Sequence, residues 1–143
     1  MTKSELALSK AEREEFLAQP HIGALAIEAG DRGPLMVPMW YDYTPGGQVV
    51  LITGAYSRKT KLIQQCGRFS LMAERSAPTL RYVSVEGPVT EIRPATTAEE
   101  EAMARRYLGD GAAAYMEKAV DFGDQVRITM TPARWLSSDL GAS

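Results

Sequence analysis

TLRYVSVEGPVTEIR, residues 79–93, predicts a long β-strand because it is rich in branched and aromatic residues. Pro88 lies inside this run and lacks the N–H that a strand ladder needs, so it predicts a bulge or a sheet edge at that point. RFSLMAE, residues 68–74, predicts a second strand just before it. A loop around Ala77 and Pro78 separates the two strands.

Four more runs of branched and aromatic residues predict further strands. They are IGALAIEA (22–29), PLMVPMWYDY (34–43), QVVLIT (48–53) and QVRITMTPARW (125–135). Turn-forming residues connect the first three of these, which therefore form an antiparallel meander. Six strands with short connections favour a mainly β fold with peripheral α-helices. We expect a small closed antiparallel barrel in a single domain spanning residues 1–143.

Capping signals mark the peripheral helices. SKAEREEFLAQ, residues 9–19, starts with a capping box and predicts the first helix. Thr97 with Glu100 makes the same pattern and predicts a later helix. That helix is interrupted at GDG (109–111) and resumes over AAAYMEKAV (112–120).

Composition excludes several classes of function. The 143 residues include 16 Lys and Arg against 18 Asp and Glu, a net charge of −2, so no basic field exists to bind nucleic acid or an anionic membrane. Cys66 is the only cysteine, which rules out an intrachain disulfide and a cysteine-based zinc cluster. The N-terminal residues lack an apolar signal core, and no run approaches the ~20 apolar residues of a membrane span. We expect a soluble cytoplasmic protein.

The predicted strand LMVPMWYDY, residues 35–43, is unusual because both of its faces are largely apolar. Met36, Pro38, Trp40 and Asp42 alternate with Val37, Met39, Tyr41 and Tyr43. In a chain this short one face can line the core. The other must be covered by a helix of the chain, a second subunit or a planar ligand.

Residues for hydrolytic chemistry are scarce. His21 is the only histidine, and without Ser, Cys or Asp at a known motif spacing it is a strand-entry residue rather than a base. The neighbours of Cys66 do not mark it as an activated nucleophile. The glycines form neither a phosphate-binding loop nor a dinucleotide fingerprint. We therefore predict neither a metal site nor a catalytic nucleophile.

SRKTKLIQQC, residues 57–66, places positive charge at the start of a predicted helix. Ser57 is the expected N-cap of a helix formed by the rest of the stretch. Arg58, Lys59 and Lys61 then lie where the helix dipole is already positive. This is unfavourable by a few tenths of a kcal/mol for each cation unless an anion is bound nearby.

A bound phosphate would reverse the sign of that effect. It would accept hydrogen bonds from the Ser57 hydroxyl, the Arg58 guanidinium, the lysines and the free amides of the helix. The alternative is that these side chains fan out into solvent. Thr53 ends the strand QVVLIT just before the helix and would border the same spot, which favours the anion site.

Taken in order, these segments resemble a known superfamily. A strand ending in Thr, the SRK helix start, RFSLMAE and RYVSVEGPVTEI are together similar to the flavin-binding split-barrel proteins that include the pyridoxamine 5′-phosphate oxidases. The similarity spans residues 16–134. PLMVPMWYDY, SRKTKLI and VSVEGPVTEI look most like flavin/deazaflavin oxidoreductases of actinobacteria, whose members commonly use coenzyme F-420. The resemblance implies a six-stranded antiparallel split β-barrel of the FMN-binding type.

The resemblance also implies a homodimer with two cofactor sites in clefts at the subunit interface, which would account for the strand with two apolar faces. Carried over by position, three groups of residues make the site. The cofactor phosphate is held by Ser57, Arg58, Lys59 and Lys61, Thr53 lies beside it, and the ring system is bordered by Pro38, Met39 and Trp40.

The implied reaction is hydride transfer from reduced F-420 to an electron-poor conjugated small molecule, such as an enone, quinone or lactone. The cofactor supplies the chemistry, so no catalytic side chain is assigned. Alternatives are an FMN-dependent oxidoreductase of the pyridoxamine phosphate oxidase type and a non-catalytic protein that binds flavin or haem. Pyridoxamine phosphate is a poor substrate candidate. The oxidases that use it carry basic residues on the strand matching residues 35–43, and here that strand has none.

Overall fold

The computed structural model describes residues 6–141. Within that range the chain forms four α-helices, two short 3₁₀ turns and eight strands. The helices are α1 (Lys10–Ala18), α2 (Arg58–Cys66), α3 (Thr97–Leu108) and α4 (Ala112–Ala119), and the 3₁₀ turns are Gly109–Gly111 and Val120–Phe122. The strands are β1 (Gly23–Ala29), β2 (Arg32–Met39), β3 (Asp42–Tyr43), β4 (Val49–Gly54), β5 (Arg68–Arg75), β6 (Arg81–Pro94), β7 (Gln125–Met130) and β8 (Arg134–Asp139).

The long strand β6 organises the sheet because it pairs with three other strands. Its first half pairs with β5 on one side and with β8 on the other, and its second half pairs with β7. The full order is β2-β1-β5-β6-β7-β4-β3, with β8 joined to β6 off this path, and all the pairs are antiparallel. The sheet therefore divides at β6 into two halves, as a split barrel does.

A bulge between Val89 and Glu91 marks the place where β6 changes partners. It lies next to Pro88, as the sequence predicts. Gly87 allows a close crossing here, since a Cβ at this position would collide with the Thr131 carbonyl. The chain passes over β6 at Thr131 as it moves from β7 to β8.

The mainly β architecture and the antiparallel split barrel are confirmed, but the expected closure and the count of six strands are wrong. The described residues contain eight strands, and the order ends at β2 and β3 without joining them. Each extra strand comes from a break inside a predicted run. One run is interrupted at Trp40 and Tyr41, and the other at residues 131–133, where Pro132 cannot donate to a ladder.

The helices begin close to where capping signals place them. Ser9 and Glu12 form the predicted capping box of α1, and Ser57 is the N-cap of α2. The capping box of α3 was predicted one residue too late, because its members are Thr96 and Glu99. Each helix within residues 6–141 is too short or too polar to traverse a lipid bilayer.

The core fills the space between the two halves of the sheet. Its fully buried members come from both halves and from two helices, and include Leu17, Leu25, Leu51, Ile63, Leu71, Val83, Ile128 and Met130. Burial of side chains this large is worth roughly 1.5–3 kcal/mol each, so this cluster holds the strands in register. Helix α2 contributes Ile63 and packs on β1 and β4.

The strand with two apolar faces divides into differently covered parts. Tyr41 and Tyr43 are buried in the core, and Trp40 is covered by α3 and α4. Met36 and Pro38 stay exposed, and Met36 keeps 66% of its surface accessible. A helix of the chain therefore covers only the end of this face.

Candidate functional site

The turn between β4 and α2 carries the predicted anion site. Thr53 lies on the same buried face of β4 as Leu51 and has 7% of its surface exposed. The next residue, Gly54, pairs with Gln125 at the start of β7. The Ala55 amide donates to the Asp124 carbonyl at 2.9 Å. The last residue of β4 and the residue after it are thereby held against the start of β7.

Hydrogen bonds around Ser57 fix the start of α2. Ser57 is extended (φ −68°, ψ 158°), and its Oγ accepts from the Thr60 amide at 3.3 Å. The Gly54 carbonyl accepts from the Ser57 amide at 3.2 Å and from the Thr60 hydroxyl at 2.7 Å. The Thr60 Oγ1 also lies 3.2 Å from the Ser57 Oγ. These contacts fix the first turn of the helix relative to the end of β4.

Two backbone amides at this helix start are free. The amides of Arg58 and Lys59 have no acceptor among residues 6–141, since the Ser57 side chain serves only that of Thr60. Free amides at a helix N-terminus carry partial positive charge and bind anions. The turn therefore offers two donors to a group outside the described chain.

The side-chain charges add to this field. Arg58 and Lys61 are exposed and Lys59 is half-buried. Within the part of the chain that the structure describes, no carboxylate lies within ion-pair distance of these three cations, whereas eight ion pairs are formed by other arginines. A phosphate could bind here to the Ser57 hydroxyl, the two backbone amides and these three cations.

The residues predicted to border a ring lie on a different part of the sheet. Pro38 and Met39 end the edge strand β2, where they pair with Ala24 and Gly23 of β1. No hydrogen bond or ion pair of residues 6–141 joins residues 38–40 to the β4–α2 turn. Helix α2 packs on both β1 and β4, so it is the element that links the two regions.

Trp40 is held by the helical segment that follows β6. Its ring stacks on Tyr107 with centroids 5.1 Å apart and an interplanar angle of 5°, and it contacts Tyr115 at a tilt. The Tyr107 hydroxyl lies 2.8 Å from the His21 carbonyl and 2.9 Å from that of Tyr41, and it accepts from the Tyr41 amide at 3.0 Å. Helix α3 thereby fixes the end of β2.

The contacts of Tyr107 with Trp40, His21 and Tyr41 are called the clamp below. The sequence did not predict this clamp or the arginine beside it. The Arg106 Nε donates to the Tyr41 carbonyl at 2.9 Å, and another of its nitrogens donates to Gln19 at 3.0 Å. Arg106 also lies 3.4 Å from an Asp42 oxygen. No local sequence pattern predicts these contacts, because each joins residues far apart in the chain.

Burial sets the protonation of the tyrosines and the histidine near this clamp. It raises the pKa of Tyr41 and Tyr107, and it raises the pKa of Tyr43 to about 12. All three are therefore protonated at neutral pH and able to donate. Burial lowers the pKa of His21, whose ring stacks on Phe16 and hydrogen-bonds its carbonyl at 3.0 Å. These contacts are those of a packing residue at the entry of β1.

Comparison with protein families gives a match over residues 9–139 to the model of pyridoxamine 5′-phosphate oxidase. The chain belongs to the pyridoxamine 5′-phosphate oxidase family. This confirms the superfamily that the order of segments indicates, and it agrees with the split-barrel topology. No curated protein matches the chain.

Solved structures agree with the family. A conserved hypothetical protein from Mycobacterium tuberculosis is 27% identical, with a TM-score of 0.77, and the match covers 100% of this chain and 94% of that one. An F-420 reductase is 23% identical with a TM-score of 0.69, covering 86% and 94% of the two chains. A FAD-binding protein from Mesorhizobium loti is 20% identical with a TM-score of 0.65, covering 96% and 97%. The last two similarities show the shared fold.

Proposed function

We propose that this member of the pyridoxamine 5′-phosphate oxidase family is an F-420-dependent oxidoreductase. It transfers a hydride from the reduced deazaflavin to an electron-poor conjugated small molecule such as an enone, a quinone or a lactone. The observation that carries the proposal is the start of α2, where two amides and three cations without a partner among residues 6–141 follow the buried Thr53. The similarity in fold to an F-420 reductase supports the choice of cofactor.

The residues at this turn fit a phosphate-bearing cofactor. A phosphate needs several donors and positive charge, and the turn supplies two backbone amides, the Ser57 hydroxyl, the Arg58 guanidinium and the Lys59 ammonium. Lys61 lies one helical turn from Ser57 and adds a further positive charge. Thr53 closes the strand side of the site.

The reactive ring of the bound cofactor supplies the hydride chemistry. In this proposal the chain orients that ring and excludes water from one face. Pro38 and Met39 border the ring partly through their backbone groups, and Trp40 is kept in a fixed orientation by Tyr107 and Tyr115. By holding the phosphate, the start of α2 would set the position of the attached ring.

We propose a homodimer in which a second copy completes each cofactor site. The support is an open face of the sheet that is rich in apolar and small residues. On this face a row of residues in register crosses five strands: Pro38, Ala24, Met72, Ser84 and Leu136. Leu136 is 53% exposed and Met36 66% exposed, and both lie on this face. Light scattering should give a mass of twice 15.6 kDa.

FMN is the second candidate cofactor, and the fold similarity to a FAD-binding protein supports a flavin in place of the deazaflavin. An FMN-dependent enzyme would purify yellow with flavin absorbance. A colourless protein that binds added F-420 and leaves FMN unbound would support the deazaflavin. Bound haem would give a Soret band in the same spectrum.

Stopped-flow oxidation of reduced F-420 tests the catalytic proposal. The purified protein is mixed with reduced F-420 and then with a panel of quinones, enones and lactones, while the absorbance of oxidised F-420 is followed. A reductase shows substrate-dependent oxidation faster than the rate without protein. A non-catalytic carrier binds the cofactor and leaves that rate unchanged, which would refute the proposed activity.

A further inference from the structure

A cleft of about 490 Å³ opens beside the β4–α2 turn, next to Ala55 and Tyr56. The turn, the end of β6, the first turn of α3 and the start of β7 enclose it, through residues that include Ala55, Tyr56, Pro94, Glu100, Asp124 and Gln125. Its volume is within the range of small-molecule sites. A smaller cavity of about 40 Å³ adjoins it and shares Glu100 and Gln125.

The charge of the cleft is negative. Glu100 and Asp124 line it, and none of its lining residues is Lys or Arg. The sign is opposite to that at the start of α2. The cleft therefore disfavours an anionic cofactor and favours a cation.

Glu100 differs from the two glutamates beside it in sequence. Glu99 is 2.6 Å from Arg93 and 3.2 Å from Arg127, and Glu101 is 2.8 Å from Arg105. Glu100 is half-buried and has no side-chain hydrogen bond or ion pair within residues 6–141. Burial raises its pKa, as expected for a carboxylate without a partner.

Aromatic side chains line both of the cavities that share Glu100. Tyr56 lines the cleft and is 78% exposed, although most tyrosines of this chain are buried or half-buried. Tyr115 and Phe122 line the adjoining cavity with their ring centroids 5.9 Å apart, and Trp40 completes it. Aromatic faces attract organic cations at up to about 6 Å from the ring centroid.

We propose that this cleft binds a small organic cation, such as a quaternary ammonium or a protonated amine, with Glu100 as its counter-charge and Tyr56 against its apolar groups. A metal ion suits the site less well, because residues 6–141 contain no group of three or more His, Cys, Asp or Glu side chains able to hold one. None of the residues assigned to the cofactor lines the cleft itself, although Trp40, which borders the proposed ring site, lines the adjoining cavity.

The test is a titration of the ¹⁵N-labelled full chain with benzyltrimethylammonium, followed by amide chemical shifts at low salt. Benzenesulfonate serves as the anionic control and benzyl alcohol as the neutral one. The cation should shift the signals of Gly123 and Gln125, and the two controls should bind at least tenfold more weakly. No shift at these residues, or equal binding of benzenesulfonate, would overturn the proposal.

Two variants locate the charge and the aromatic contact. Glu100→Gln should weaken binding of benzyltrimethylammonium at least tenfold, and the matched change Glu101→Gln should alter it less than twofold. Tyr56→Ala should weaken binding severalfold, and because that side chain is exposed the fold will tolerate the change. Affinity unchanged in both Glu100→Gln and Tyr56→Ala would refute the assignment. Should Glu100→Gln fail to fold, Tyr56→Ala alone decides.

Discussion

Replacing Tyr107 by Phe tests the clamp between α3 and the end of β2. The change removes one hydroxyl and keeps the ring that stacks on Trp40. The hydroxyl has one proton, so it donates to the His21 carbonyl or to that of Tyr41, and it accepts from the Tyr41 amide. Two hydrogen bonds are therefore lost at any instant. The Tyr41 carbonyl keeps its bond from Arg106.

The cost follows from those two bonds. At about 0.5–1.5 kcal/mol for each buried or half-buried bond, the free energy of unfolding should fall by about 1–3 kcal/mol. For a chain of this size each kcal/mol corresponds to about 2–4 °C, so the melting temperature should fall by about 2–12 °C. The Tyr41 amide, left without an acceptor, places the effect towards the upper end.

Thermal and urea unfolding provide the measurement, with tryptophan fluorescence as one signal because Trp40 contacts the altered residue. Tyr56→Phe is the matched control. Its side chain is 78% exposed and its hydroxyl makes no hydrogen bond within residues 6–141, so its stability should change by less than about 0.5 kcal/mol. If Tyr107→Phe were as stable as Tyr56→Phe, the hydrogen bonds of the Tyr107 hydroxyl would contribute nothing and the reasoning would be wrong.

Two further predictions concern the sheet and the C-terminal strand. Gly87→Ala should lower the free energy of unfolding by about 3 kcal/mol, because the new methyl group would collide with the Thr131 carbonyl, which has little freedom to move. In the control variant Gly33→Ala the new methyl group meets no atom within 4 Å, so the change should be nearly neutral. Denaturant unfolding of the two variants provides the comparison. Hydrogen bonds from the Thr79 hydroxyl and from Arg81 lower the pKa of Asp139 to about 2. The contribution of the Asp139 carboxylate to stability is thus complete above its usual pKa of about 3.8 and is lost as the pH falls towards 2. Asp139→Asn should therefore be less stable at neutral pH and should lose less stability between pH 3.8 and pH 2. An equally steep loss of stability in the variant over this interval would contradict the prediction.

Local signals in the sequence predicted most of the elements. The N-cap at Ser57 and the bulge beside Pro88 depend on chemistry within a few residues, so they were found correctly. The capping box of α3 was misplaced by one residue because two overlapping Thr and Glu pairs have the same spacing. The ion pairs that Glu99 forms with Arg93 and Arg127 favour the earlier pair, and Arg127 belongs to β7, a strand far from Glu99 in sequence.

Features that depend on distant contacts were not predictable. The break at Trp40 that creates β3 lies under α3, where the Tyr107 hydroxyl bonds the backbone across 66 residues of sequence. The separation of β7 from β8 has one local signal, Pro132, but the crossing of the chain over Gly87 at the same place joins residues far apart in sequence. The cleft beside the β4–α2 turn is assembled from four segments, so no single stretch of sequence signals it.

Parallel titrations with F-420 and FMN test the central claim most directly. They compare the unaltered protein, the double variant Arg58→Ala/Lys59→Ala and the matched control Lys10→Ala/Lys118→Ala, which removes the same charge elsewhere on the surface. Bonds from cations to a phosphate are worth about 1.5–3 kcal/mol each, so the double variant should bind F-420 at least about tenfold more weakly. The control should change affinity less than twofold, and FMN should bind more weakly than F-420 throughout. Unchanged affinity of the double variant for F-420 would contradict the account.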